Sequence, residues 1–186
     1  TVSMVEKYFG GTIPAQRAEG EFDSELKELV EAMPQKVSDC MDKLLIPQAL
    51  AEIFKGIQRA NKYIDETAPW VLAKDEANSA RLAGVMYNLC ETLRFAATLL
   101  QPFLPDTAPR MAAQLGLDAS TMSFDSLVYG KVESYTVAKG EVLFPRIDAA
   151  KELAELEAAH QAAVAAAQPA QPVEKPAAAE NIEHLP

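Results

Sequence analysis

The sequence predicts an all-α protein, a helical bundle followed by an irregular segment and a disordered tail, and three observations carry that prediction. Apolar residues recur every three to four positions through successive stretches, most clearly from Leu82 to Leu100. Gly and Pro residues cluster between those stretches, at Gly10-Gly11 with Pro14, at Pro102 with Pro105, and at Gly116. Hydrophobic residues make up 49 % of the 186, which suits one folded domain, or one domain with a tail.

Taken in order, Val2, Val5 and Phe9 share one side of an opening helix. No N-cap or acidic first turn precedes them, so the segment reads as the last turns of a longer helix and the sequence as a fragment. Residues 10–21 read as a loop. A second helix starts at Asp23-Ser24, where either side chain can cap, and runs to about Leu45. Pro34 inside it is expected to kink or divide it. Pro47 suits the first turn of a third helix. Its apolar face is read as Leu50, Phe54, Ile57 and Ile64, with Asn61 on that side as a structural amide and Lys55, Arg59 and Lys62 on the adjacent face.

A fourth helix, from about Ala77 to Gln101, carries the stripe Leu82, Val85, Met86, Leu89, Leu93, Ala96 and Leu100, and Pro102 stops it. A fifth, from Asp106 to Gln114, ends at Gly116. Residues 117–147 lack a long period and are expected to be irregular, with a short helical turn at Ser123 to Leu127 and a small hairpin around Gly140. A last helix from Asp148 to about Ala167 is rich in Ala and Glu. From Gln168 the run AQPAQPVEKPAAAENIEHLP reads as a disordered linker. The expected division is a helical domain over 1–150 with the start of its first helix missing, an extending helix over 151–167, and the linker over 168–186.

Composition excludes several classes of function. The net charge of −10, half of it from Asp148 onward, argues against general affinity for nucleic acid, so any RNA contact must be a local patch. The two cysteines, Cys40 and Cys90, sit in partly apolar helical stretches and read as buried free thiols of a reducing compartment. No run of about eighteen apolar residues suggests a membrane span, and no signal peptide is recognisable. The two histidines, His160 and His184, have no ligand cluster around them, and there is no Gly-rich phosphate loop and no Gly-x-Ser-x-Gly. The carboxylate pairs Asp65-Glu66 and Asp75-Glu76 need only solvent or a capping role. This segment alone is not expected to be an enzyme, and it calls for no cofactor or metal of its own.

What remains is Trp70, the sole tryptophan, set just past Pro69 at the end of the third helix. Lys55, Arg59 and Lys62 precede it at spacings of four and three, and Lys74 follows. A large aromatic beside a short basic stripe can stack a nucleobase and hold its phosphates. The competing reading is a tryptophan packed on the bundle with its N–H bonded to a carbonyl, beside lysines that serve solubility. Tyr63 reads as a core residue, and Met86 and Met111 as gap fillers.

The stretch ANKYIDETAPWVLAKD, Ala60 to Asp75, closely resembles the helix-and-turn signature of the anticodon-binding domain of bacterial methionyl-tRNA synthetases. SMVEKYFGG resembles the end of that domain's first helix, LLQPFLPDTAPRMAAQLGL the junction between its later helices, and LFPRID the point where the chain returns toward the catalytic part. DETAPW together with LFPRID is fairly specific to methionyl enzymes. Class I synthetases for leucine, isoleucine, valine and cysteine share only the general helical bundle. The resemblance covers about residues 1 to 150. It implies a bundle of the class Ia synthetase type that docks the anticodon stem-loop of initiator and elongator methionine tRNAs. It implies that Trp70 stacks on the anticodon cytidine; Lys55, Arg59, Lys62 and Lys74 are candidates for RNA-backbone contacts from their own placement, with a solvated helix face as the alternative. It also implies a parent enzyme that uses ATP and Mg in a separate catalytic domain, in the cytoplasm, and forms a homodimer through a further C-terminal module. The family's Asn and Arg that help read the anticodon would lie just before Thr1. His-Ile-Gly-His and Lys-Met-Ser-Lys-Ser type signatures do not occur in this sequence. The competing functions are the same domain from another class I synthetase, and a helical interaction module without RNA binding.

Overall fold

Gly10 ends the first helix, α1 (Val2–Phe9), in the left-handed conformation that glycine adopts at little cost, with φ 61°. Its amide donates to Glu6 O at 3.0 Å, and Gly11 N donates to Val5 O at 3.3 Å. The chain then runs through a loop whose Ile13 is buried. The computed structural model describes residues 1–167, and the linker expected over 168–186 lies outside them.

Three long helices build the core. The second, α2 (Asp23–Met41), begins differently from expectation: Phe22 holds the cap position at φ 72°, and no side chain caps the helix. The Asp23 carboxylate turns back to Gly20 N at 3.0 Å and across to Tyr63 and Arg81. Pro34 is buried inside α2 and does not divide it. The third helix, α3 (Ile46–Thr67), does carry Pro47 in its first turn. It buries Ala49, Ile53, Gly56, Ala60 and Tyr63, a face rotated by one residue from the expected one. Phe54 is 48 % exposed and Asn61 is exposed, so neither the apolar face nor the structural amide is as predicted. The reason is close approach. A methyl group on Gly56 would stand 2.3 Å from Met33 Sδ, so small residues mark the contact with α2, and the larger Leu50, Ile57 and Ile64 pack at its edge.

After a single turn, α4 (Pro69–Leu72), and a 3-10 turn over Glu76–Asn78, α5 (Ser79–Leu100) runs through the middle of the bundle. It packs on α2, α3, α4 and the sixth helix, α6 (Thr107–Gln114). Burial is therefore nearly all round, and the apolar stripe read from the sequence is only part of it. Glu91 and Arg94 are both 0 % exposed and face each other at 2.9 Å. Arg94 also donates to Ser126 O and Val128 O, and Glu91 accepts from Gly130 N and from the Tyr135 hydroxyl. This pair fastens the irregular segment after α6 onto α5. That segment contains the expected turn, at Phe124–Ser126, and another at Ala119–Thr121. The expected hairpin around Gly140 does not form. Among the described residues the β-type pairing is one antiparallel bridge, Thr12 with Thr136, where Ile13 N donates to Tyr135 O and Val137 N to Gly11 O.

Thr1–Leu143 make up one compact unit, an all-α bundle. A second unit begins at Phe144 and contains α7 (Ala149–Ala167), on which Leu153, Leu156 and Val164 are exposed. No helix among the described residues is long and apolar enough to cross a membrane.

Candidate functional site

Pro69 dictates the local geometry around Trp70. A residue that precedes proline is held out of the right-handed helical region, so α3 cannot continue through Ala68. Ala68 instead takes φ 43°, ψ 61°, a left-handed conformation that a non-glycine residue adopts at a cost of roughly 1–2 kcal/mol. Its amide still donates to Ile64 O at 3.0 Å, and its carbonyl accepts from Val71 N at 2.7 Å, so it closes α3 and opens α4. Thr67 Oγ1 donates to Tyr63 O at 2.6 Å across the same turn. Pro69 is buried, whereas Trp70 is 48 % exposed and Val71 beside it 52 %. Among the described residues no acceptor takes the Trp70 indole N–H. Trp70 is thus half-exposed on a turn whose Ala68, Val71 and Ala73 amides are all hydrogen-bonded.

The basic residues divide into two kinds. Lys55 is exposed and pairs with Glu52 on the preceding turn. Lys62 is exposed and lies 3.3 Å from Glu66 Oε1. Lys74 is exposed, and no carboxylate pairs with it among the described residues. Arg59 is not part of an exposed stripe. It is 7 % exposed, donating Nη1 to Glu66 Oε2 at 2.8 Å and Nη2 to Glu25 Oε2 of α2 at 3.0 Å. Its Nε lies 2.9 Å from Glu25 Oε1 but off the N–H direction, which leaves that nitrogen buried without a hydrogen bond. Spacing places residues 55, 59 and 62 on one side of α3, and packing against α2 covers the middle one. An RNA-backbone contact from Arg59 is corrected accordingly, because its guanidinium is already committed to two carboxylates. Partial desolvation raises the Glu66 carboxyl, but hydrogen bonds and charge from Arg59 and Lys62 outweigh it and hold the group below its ordinary range.

Beneath the turn, Tyr63 is fully buried, as its reading as a core residue predicts. Its hydroxyl donates to Asp23 Oδ1 at 2.6 Å and accepts from Asn88 Nδ2 at 3.1 Å, and Arg81 clamps Asp23 with two bonds of 2.8 Å. Asn88 Oδ1 accepts from Tyr129. Burial, then the Asp23 bond, push the Tyr63 phenol well above its usual range. Sequence reasoning missed Glu25, Arg81 and Asn88 and read Asp23 only as a helix cap; the α2 pair lies far along the chain from Arg81 and Asn88. Their only signal was polar residues set among apolar helical ones. Beside α4, Tyr8, Phe9, Leu72, Lys74, Glu76 and Ser79 line a recess of about 380 Å³. A larger recess of about 690 Å³ lies against Asn88 and Tyr129. Its Arg17 guanidinium is stacked 3.7 Å over the Tyr87 ring, and it does not include Trp70.

A sequence model of the anticodon binding domain of methionyl tRNA ligase matches residues 13–165. The chain belongs to this family. Methionine–tRNA ligase of Caldanaerobacter subterraneus subsp. tengcongensis is 51 % identical over 158 residues, which are 84 % of this chain and 25 % of that protein. The Clostridium acetobutylicum ligase is 43 % identical over 185 residues, 100 % of this chain and 29 % of that one. Among solved structures, the free Mycobacterium tuberculosis methionyl-tRNA synthetase aligns with TM-score 0.74 and 30 % identity over 79 % of this chain and 30 % of that one. The chain therefore spans between a quarter and a third of the length of these methionyl enzymes. Within the matched residues, Trp70 is half-exposed.

Proposed function

We propose that this chain docks the anticodon stem-loop of initiator and elongator methionine tRNAs, with Trp70 stacked on the anticodon cytidine. The observation that carries the proposal is Trp70 itself, half-exposed on a turn fixed by Ala68 and Pro69, in a chain of the methionyl anticodon-binding family. Stacking on one base is worth about 1–3 kcal/mol, enough to discriminate a loop but not to bind it alone. Lys62 and Lys74 are the cations that supply phosphate contacts near the ring, and Lys55 a more distant one. In the parent enzyme a separate catalytic domain activates methionine with ATP and Mg and transfers it to the tRNA. The cytoplasm is its place of work, and a C-terminal module makes it a homodimer.

The test is titration of the chain with an RNA hairpin carrying a CAU loop, against the same hairpin with the first loop base of the triplet changed. Trp70→Ala is expected to weaken the CAU complex about fivefold to a hundredfold while the helical signal persists. Three phosphate contacts from lysine predict that log Kd rises with log salt at a slope of about 2.1. Equal affinity for both hairpins, together with no effect of Trp70→Ala, would remove the stacking role.

A further inference from the structure

We infer that Arg59 is a positioning residue for Trp70, acting through Glu66 and the last turn of α3 rather than by touching RNA. The inference rests on the stacking role proposed for Trp70. Trp70 follows the end of α3 by three residues, and its direction is set by the Ala68 turn, which hangs from Ile64 O and Tyr63 O. A terminal helical turn frays unless something outside the helix holds it. Two clamps do so here. On one side Tyr63 is bonded to Asp23 and Asn88. On the other, Arg59 grips Glu66 in the last turn with Nη1 and Glu25 of α2 with Nη2, so one rigid guanidinium spans the two helices. Lys62 holds the second oxygen of Glu66.

Stability alone does not account for Arg59. It is buried, its Nε has no hydrogen-bond partner, and such ion pairs can often be replaced by apolar side chains without loss. What a methionine in its place cannot do is bond Glu66 and Glu25 together. The specific result of the arrangement is a fixed register between the turn carrying Trp70 and α2.

Because Trp70 is the only tryptophan in the chain, its fluorescence reports the turn directly. The experiment measures acrylamide quenching of Trp70, helical content, and affinity for the CAU hairpin in Arg59→Met, Glu66→Gln, Trp70→Ala and the double variant Arg59→Met with Trp70→Ala. Arg59→Met is expected to change the quenching and to raise Kd about threefold to tenfold. The double variant is expected to bind no more weakly than Trp70→Ala, since Arg59 acts only through the ring. Should Arg59→Met lose its helical signal, Glu66→Gln decides in its place, because it leaves Arg59 paired with Glu25. Unchanged quenching, or losses that simply add in the double variant, overturn the positioning role and leave the stacking role standing. A Trp70→Ala chain that binds as tightly as the parent overturns both.

Discussion

Replacing Arg94 by methionine isolates an ion pair that is fully buried on both sides. Arg94 and Glu91 are both 0 % exposed, and the guanidinium makes two bonds of 2.9 Å to the carboxylate. It also donates to Ser126 O at 3.0 Å and Val128 O at 2.9 Å. Methionine fills similar space but leaves a buried carboxylate with no counter-charge, which costs about 3–5 kcal/mol. The two carbonyls lose their donor and add about 1 kcal/mol each where water does not reach them. The expected loss of about 5–7 kcal/mol is a large part of the roughly 5–15 kcal/mol that holds a domain of this size together. With a urea slope of about 2 kcal/mol/M, the unfolding midpoint should fall by about 2.5–3.5 M. The assay is urea unfolding followed by far-UV circular dichroism, with amide exchange at Gly130, whose N–H donates to Glu91. Adding Glu91→Met should recover about half of the loss. The stranded charge is then gone, while Gly130 N–H and the Tyr135 hydroxyl lose their acceptor. A midpoint shift of less than about 0.5 M for Arg94→Met would refute the reasoning.

Four further outcomes are open to measurement. Gly116 sits at φ 66°, and a methyl group there would lie 2.1 Å from Thr136 O, so Gly116→Ala should cost about 2–5 kcal/mol by denaturant titration. A loss below about 1 kcal/mol would mean that the segment around Thr136 gives way freely. Glu66 has a lower pKa folded than unfolded, so its contribution is complete above the ordinary glutamate range of about 4.3 and fades as pH falls through the folded value. That acid-side slope should flatten in Arg59→Met. Burial pushes Tyr87 up to about 12 and raises Tyr63, Tyr129 and Tyr135 as well. Their contribution is therefore whole below about pH 10 and is lost above it, at about 1.4 kcal/mol per pH unit for each ring. Tyrosinate absorbance should appear together with unfolding, and ordinary titration of all five tyrosines near pH 10 in the folded chain would contradict the burial argument. Burial likewise pushes the Cys90 thiol up to about 12, so a thiol reagent should label the half-buried Cys40 first and Cys90 only on unfolding.

Helices were legible because periodicity and proline placement act locally. The bounds of α3, α5 and α6 and the turn at Trp70 follow from Pro47, Pro69 and Pro102 with little help from the rest of the chain. The register of α3 was not legible. Large apolar residues drew the reading toward Leu50, Phe54 and Ile57, whereas the closest contact with α2 needs the small Gly56. Glu91 and Arg94 escaped for a related reason: three apart on a helix, they look like a solvated pair, and only the carbonyls of residues 121–128 show that they are interior. At the candidate site the turn bearing Trp70 was readable from local chemistry. Arg59 was not, because its partner Glu25 lies 34 residues away and nothing in the spacing of 55, 59 and 62 announces it.

The bonding of Arg94 has a consequence for the order in which the molecule can be made. Its carbonyl acceptors follow it by 27 to 34 residues. At the roughly 5–20 residues per second of protein synthesis, they leave the ribosome about one to seven seconds after Arg94 does. During that interval α2, α3 and α5 can meet, but the face of α5 carrying Glu91 and Arg94 must stay wet. The nascent bundle is held open along one seam until its last irregular stretch is translated.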